Sequence, residues 1–87
     1  MLDYSSFDET VRRQWDLSDW LVDLLGDAAD MTDDPTEADR FEVAAQAVTG
    51  LHVDRLESLC GDARRVRSGA GALAAARLVC SVLGVVG

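Results

Sequence analysis

Apolar positions fall into four runs along the chain, each with the three- and four-residue spacing of a helix. Phe7, Val11 and Trp15 recur at four-residue gaps, and Leu17, Leu21, Leu24, Leu25 and Ala28 carry an apolar face onward. The two sets are slightly out of phase. Helix one, residues 6–29, therefore either turns its face or kinks near Asp16-Leu17-Ser18, with Ser18 capping a second segment. Ser6-Phe7-Asp8-Glu9 fits a capping box at its start. Asp34-Pro35-Thr36-Glu37 is a stronger start signal for helix two, residues 35–49. Asp34 suits the cap, Pro35 the first helical position, and Glu37 the reciprocal place in the box. This helix buries Phe41, Ala44, Ala45 and Val48, and Gly50 stops it.

Helix three, residues 52–66, presents Val53, Leu56, Cys60 and Ala63; Gly61 weakens it by roughly 1 kcal/mol relative to alanine and is a point where it could split. Ser68-Gly69-Ala70-Gly71 reads as a hinge, and helix four takes residues 72–84. Helix four is apolar nearly all round, interrupted by Arg77 and Ser81, which predicts a central helix covered by its neighbours. A membrane anchor is the competing reading. The stretch from Gly69 to Gly87 is barely long enough, four glycines thin it, and Arg77 near its middle would cost about 2.5–3.5 kcal/mol on insertion. The fold class predicted is all-α: one small domain, residues 1–87, forming a compact bundle of four helices, or five if helix one splits. One proline, no isoleucine and no period-two alternation argue against strands.

Composition sharpens this picture. Twelve alanines and five aromatics call for a closely packed aliphatic core. The N-terminus is acidic and has no basic region followed by an apolar run, so a cytoplasmic location is expected. Cys60 and Cys80 each lie in an apolar helical stretch and read as reduced, buried thiols, although an even count permits a disulfide.

Charge changes the picture most. The net charge is −8, but residues 1–42 carry −10 and residues 43–87 carry +2. All eight bases are arginine. A salt-loving host would also favour acids, but it predicts them over the whole surface rather than in one half. Within the acidic half, Asp16, Asp19, Asp23, Asp27 and Asp30 follow one another at gaps of three, four, four and three. On a helix they share one face within an arc of about 80° and span about 21 Å, or about 5 Å per charge. Asp33, Asp34 and Glu37 continue the charge beyond the helix end. No base stands between Arg13 and Arg40, although opposite charges at these gaps would stabilise the helix and like charges destabilise it. A nucleic-acid strand places a phosphate every 3.4 Å or so, which makes the row a sparse likeness of one strand. The bland alternative is an ordinary solvated face.

Trp20 falls at the edge of this arc and is the candidate apolar anchor, with a core residue as its competing reading; Trp15, on the opposite flank, reads as core. The candidate partner-binding set is therefore Asp16, Asp19, Trp20, Asp23, Asp27, Asp30, Asp33 and Asp34. Arg64, Arg65 and Arg67, near Arg55 and His52, form a basic cluster without interleaved aromatics; pairing with the protein's own acids competes with phosphate contact. The run "DMTDDPTE" lacks the order of a calcium loop, and no Cys/His set has zinc spacing, so no metal or cofactor is expected. The lone His52 has no nucleophile motif near it, so no enzyme activity is expected and no catalytic residue is assigned.

These features lead to a small acidic inhibitor that covers the nucleic-acid-binding surface of a basic partner, a DNA mimic of the kind phages direct at host defence systems (anti-CRISPR or anti-restriction). That comparison is one of function, without resemblance in sequence. Direct nucleic-acid and membrane contact are not expected. The alternative is a helical adaptor that self-associates, as a homodimer, through its apolar C-terminal helix; third is a nucleic-acid binder using Arg64, Arg65 and Arg67.

Overall fold

The computed structural model describes the backbone of residues 4–85 and the side chains of residues 9–85. Four helices follow in order: α1 (Tyr4–Met31), α2 (Pro35–Val48), α3 (Val53–Ala70) and α4 (Ala72–Leu83). Contacts along the chain set their directions. Arg13 pairs with Glu57, and the Cys60 thiol donates to the Leu17 carbonyl, so α3 runs beside α1 in the same sense. Glu37 meets Arg77, and the Cys80 thiol reaches the Arg40 carbonyl, so α4 runs with α2. Around the bundle the order is α1, α2, α4, α3; α1 touches α4 across the middle, while α2 and α3 barely meet.

Each helix contributes one ridge to a single core. Leu21, Leu24, Leu25 and Ala28 of α1 face Phe41, Ala44 and Val48 of α2, Leu56, Leu59, Cys60 and Ala63 of α3, and Ala75, Ala76, Val79 and Cys80 of α4. Five of these fifteen are alanines, which let the helices approach closely, and Phe41 is the largest of the fully buried side chains. Both cysteines are buried and free; burial pushes each thiol above its ordinary range, which leaves them unreactive.

The boundaries differ from the expected ones for physical reasons. α1 is already helical at Tyr4, so Ser6 lies inside its first turns rather than at its cap; the side chains of Ser6 and Phe7 lie outside the described residues. There is no break at Ser18. Its buried hydroxyl donates to the Trp15 carbonyl at 3.1 Å and is satisfied within a continuous helix. Asp34 caps α2 as expected, accepting from the Thr36 amide at 2.9 Å with Pro35 in the first turn. Glu37 does not complete the box: its carboxylate accepts from Thr32 Oγ1 at 2.8 Å and holds Arg77.

Helix α3 runs unbroken through Gly61 and Gly69 to Ala70, because Val66 packs on the core and anchors its last turns. The hinge shrinks to Gly71 alone, at φ 93° and ψ 173°, a conformation that essentially only glycine adopts. Its N–H closes α3 on Arg67, and its carbonyl opens α4 on Ala75. Helix α4 is a wall rather than a centre. Ser81 and Arg77 are exposed and Val82 is 44% exposed, because three helices cannot surround a fourth in a chain of this size. Among the described residues no helix is long and apolar enough to cross a membrane.

A Cβ would meet nothing within 4 Å at either Gly61 or Gly71, but at Gly71 the φ of 93° is one that residues with a side chain rarely adopt. Gly61→Ala should therefore stabilise the protein by about 0.5–1 kcal/mol, and Gly71→Ala should destabilise it by about 1–3 kcal/mol. Thermal unfolding of the two variants checks this. A lower Tm for Gly61→Ala would mean that α3 is broken there.

Candidate functional site

The apolar ridge of α1 dictates where its acids point. The buried positions Ser18, Leu21, Leu24, Leu25 and Ala28 centre roughly 160° around the helix from the middle of the aspartate arc. Asp16, Asp19, Asp23, Asp27 and Asp30 therefore face away from the bundle, and all five are exposed, as are Asp33 and Asp34 in the connection to α2. The ion pairs among the described residues are Arg13–Glu57, Arg65–Asp62 and Arg77–Glu37. None uses an acid of the row. Asp34 differs from the others in that one carboxylate oxygen is committed to the α2 cap. At about 5 Å spacing the carboxylates lie inside the Debye length of about 8 Å at physiological salt, so a partner meets them as one field.

Packing of α2 against α1 adds a feature that the row alone does not have. A groove of about 480 Å³ runs between the two helices. Its floor is Val22, Leu25, Ala29, Phe41 and Ala45; its rim carries Asp23, Asp27, Asp30 and Glu42. Gly26 sits in the groove wall without a side chain to fill it. An arginine or lysine of a partner fits such a surface, with its aliphatic stem on the floor and its charge at the rim. Glu42 was not among the expected residues. Its signal was present one position after Phe41, but only the antiparallel pairing of α1 and α2 brings it to Asp23 and Asp27.

The two tryptophans exchange the anchor and core assignments, Trp20 taking the core reading that competed with its role as anchor and Trp15 leaving the core expected of it. Trp20 is half-buried against the core, and its ring is covered by Arg64 at 5.0 Å and Arg67 at 6.0 Å from the centroid. Trp15 is 67% exposed rather than core. Helix lengths explain the exchange. α1 has 28 residues, about 42 Å, and α2 has 14, about 21 Å. α2 ends at Val48, and the chain then crosses α1 at Gln14, whose Nε2 donates to the Leu51 carbonyl at 3.0 Å. The flank of α1 that carries Trp15 lies beyond the end of α2 and is left uncovered. The opposite flank, with Trp20, lies under α3.

The basic cluster is divided. Arg65 pairs with Asp62 one turn away, while Arg64 and Arg67 stack on Trp20 and border the acidic face. His52 accepts from the Asp54 amide through Nδ1 at 3.4 Å and caps α3. Among the described residues no three His, Cys, Asp or Glu side chains stand close enough together to hold a metal ion. Glu37, at the end of the acidic run, is bound rather than free. Arg77 donates to it through Nε and Nη2, both at 3.0 Å, and this contact, with the Thr32 hydroxyl, lowers its pKa from the usual 4.5. Comparison with protein-family models, with curated proteins and with solved structures finds no match.

Two measurements test this arrangement. With Trp20→Phe, the remaining Trp15 fluorescence should be quenched by acrylamide almost as freely as that of an unfolded chain. With Trp15→Phe, Trp20 should be shielded; equal quenching in the two variants would contradict the exchange. For Glu37, a folded-state pKa below the unfolded value of 4.5 means that the ionised carboxylate stabilises the fold fully above 4.5. That contribution is lost as pH falls through the folded pKa. Glu37→Gln should thus lower the Tm at neutral pH and leave it nearly unchanged once both forms are protonated, which a Tm series against pH would reveal.

Proposed function

We propose that this protein is a small acidic inhibitor that covers the nucleic-acid-binding surface of a basic partner. One observation above all supports this reading: five exposed aspartates in a row, none of them in an ion pair among the described residues, facing away from the core. A face meant only for solubility gains helix stability by mixing signs, and this face forgoes that gain. The row is about 21 Å long, comparable with roughly six phosphates of one strand, so the surface copied is that of a single strand rather than a duplex.

The proposed mechanism uses this geometry. Long-range attraction brings the acidic face to the partner's phosphate-gripping groove. Partner arginines or lysines then enter the groove between α1 and α2, meeting Asp23, Asp27, Asp30 and Glu42. Trp15, exposed one turn before Asp19, supplies the apolar anchor in place of Trp20. Inhibitors of this kind act inside the cell on the host's nucleic-acid-handling machinery, for which phage anti-defence proteins are the functional parallel.

A second reading is favoured by a different observation. The outer face of α4 presents Ala74, Leu78 and Val82 without a charge, as a self-associating adaptor would. Sedimentation separates the two: the inhibitor works as a monomer, the adaptor as an obligate oligomer.

The decisive experiment captures partners from host lysate and repeats the binding with the purified partner. Affinity should fall at least tenfold between about 50 mM and about 500 mM salt, and excess nucleic acid should displace the protein. Replacing the five aspartates of the row by asparagine should abolish binding while the helical circular dichroism stays intact. Binding that is indifferent to salt and to these replacements sinks the proposal.

A further inference from the structure

A second groove, of about 370 Å³, opens on the other side of α2, between it and α4. Its chemistry is opposite to that of the first. Two guanidinium groups, Arg40 and Arg77, line it with one carboxylate, Glu37, so a net positive site sits in a chain of charge −8. The two arginines are not equivalent. Arg77 directs Nε and Nη2 to Glu37. Arg40 has a buried Nε without a hydrogen-bond partner, and no acid among the described residues lies within ion-pair distance of it.

A buried N–H of a permanent cation that finds no acceptor is unfavourable, and native proteins rarely retain one. A planar anion with two oxygens matches the fork of a guanidinium, and that of Arg40 is held by no carboxylate among the described residues. Phe41 and Val85 give the groove an apolar wall, and the Ser81 hydroxyl stands on α4 as a further donor. The volume is in the range of small-molecule sites.

We infer that the α2/α4 groove binds a small organic carboxylate with an apolar body, its carboxylate on Arg40 and Arg77 and its body against Phe41 and Val85. The site is independent of the acidic face of α1.

Benzoate is the test ligand, with benzamide as its uncharged counterpart, titrated into the full chain while the arginine Nε–H signals are followed by NMR. Benzoate should shift the Arg40 and Arg77 signals in a saturable manner, and benzamide should leave them unmoved. Arg40→Gln removes a buried Nε–H that has no partner, so its Tm should be unchanged or higher, and its affinity for benzoate should fall at least fivefold. A shift that does not saturate, an equal response to benzamide, or unaltered binding by folded Arg40→Gln overturns the inference. Inorganic phosphate acting as strongly as benzoate overturns the carboxylate assignment. If Arg40→Gln fails to fold, the benzoate–benzamide comparison on the natural chain decides alone.

Discussion

The leucine ridge of α1 is the constraint on which the rest of the molecule depends. Leu21, Leu24, Leu25 and Ala28 are fully buried, and each of the other three helices packs against α1. Full burial of a leucine contributes roughly 1.5–3 kcal/mol, so three supply several times what the aspartate row removes. The four like-charge neighbours along that row cost about 0.2–0.5 kcal/mol each. Magnitude alone therefore explains how one helix can carry a repulsive face and remain a helix: its opposite face belongs to the core. The same ridge fixes the orientation of the acids, since with the leucines turned inward the aspartates have nowhere to point but outward.

Unequal helix lengths account for most of what is exposed. α1 is twice as long as α2, so its N-terminal half has no helix on the flank that carries Trp15. Contacts from α3 and the chain leading into it hold that half in place: Arg13 on Glu57, Gln14 on the Leu51 carbonyl, Leu17 on the Cys60 thiol. At the other end, Glu37 binds both Thr32, in the α1–α2 connection, and Arg77 of α4. One carboxylate thus links three parts of the chain. It also leaves the acidic run one charge shorter, as seen by a partner, than the residue types suggest.

The all-α bundle and the start of α2 were legible in the chain because they rest on local chemistry: apolar spacing, and a cap followed by proline. Helix interiors were read less well where tertiary contacts override propensity. Gly61 does not break α3, since Leu59, Cys60 and Ala63 hold that turn against the core. Ser18 does not cap, since a satisfied hydroxyl is tolerated inside a helix. The direction of the aspartate row followed from period alone. The exchange of Trp15 and Trp20 could not, because it depends on where α2 ends and on which flank α3 occupies, and neither is encoded within α1. Glu37 was read as a local cap and turned out to hold a residue forty positions away; a carboxylate takes the guanidinium when the fold presents one.

Segregation of charge along the chain becomes segregation in space. The acidic N-terminal half builds α1 and α2, so its groove joins two acidic helices and has an acidic rim. α4 carries Arg77 as its one charge, and where it meets α2 the second groove gathers two arginines around one acid. Phe41 stands in the walls of both grooves. Phe41 is fully buried, so the core fixes the ring that both grooves touch, and the two grooves keep their opposite charges on opposite sides of α2.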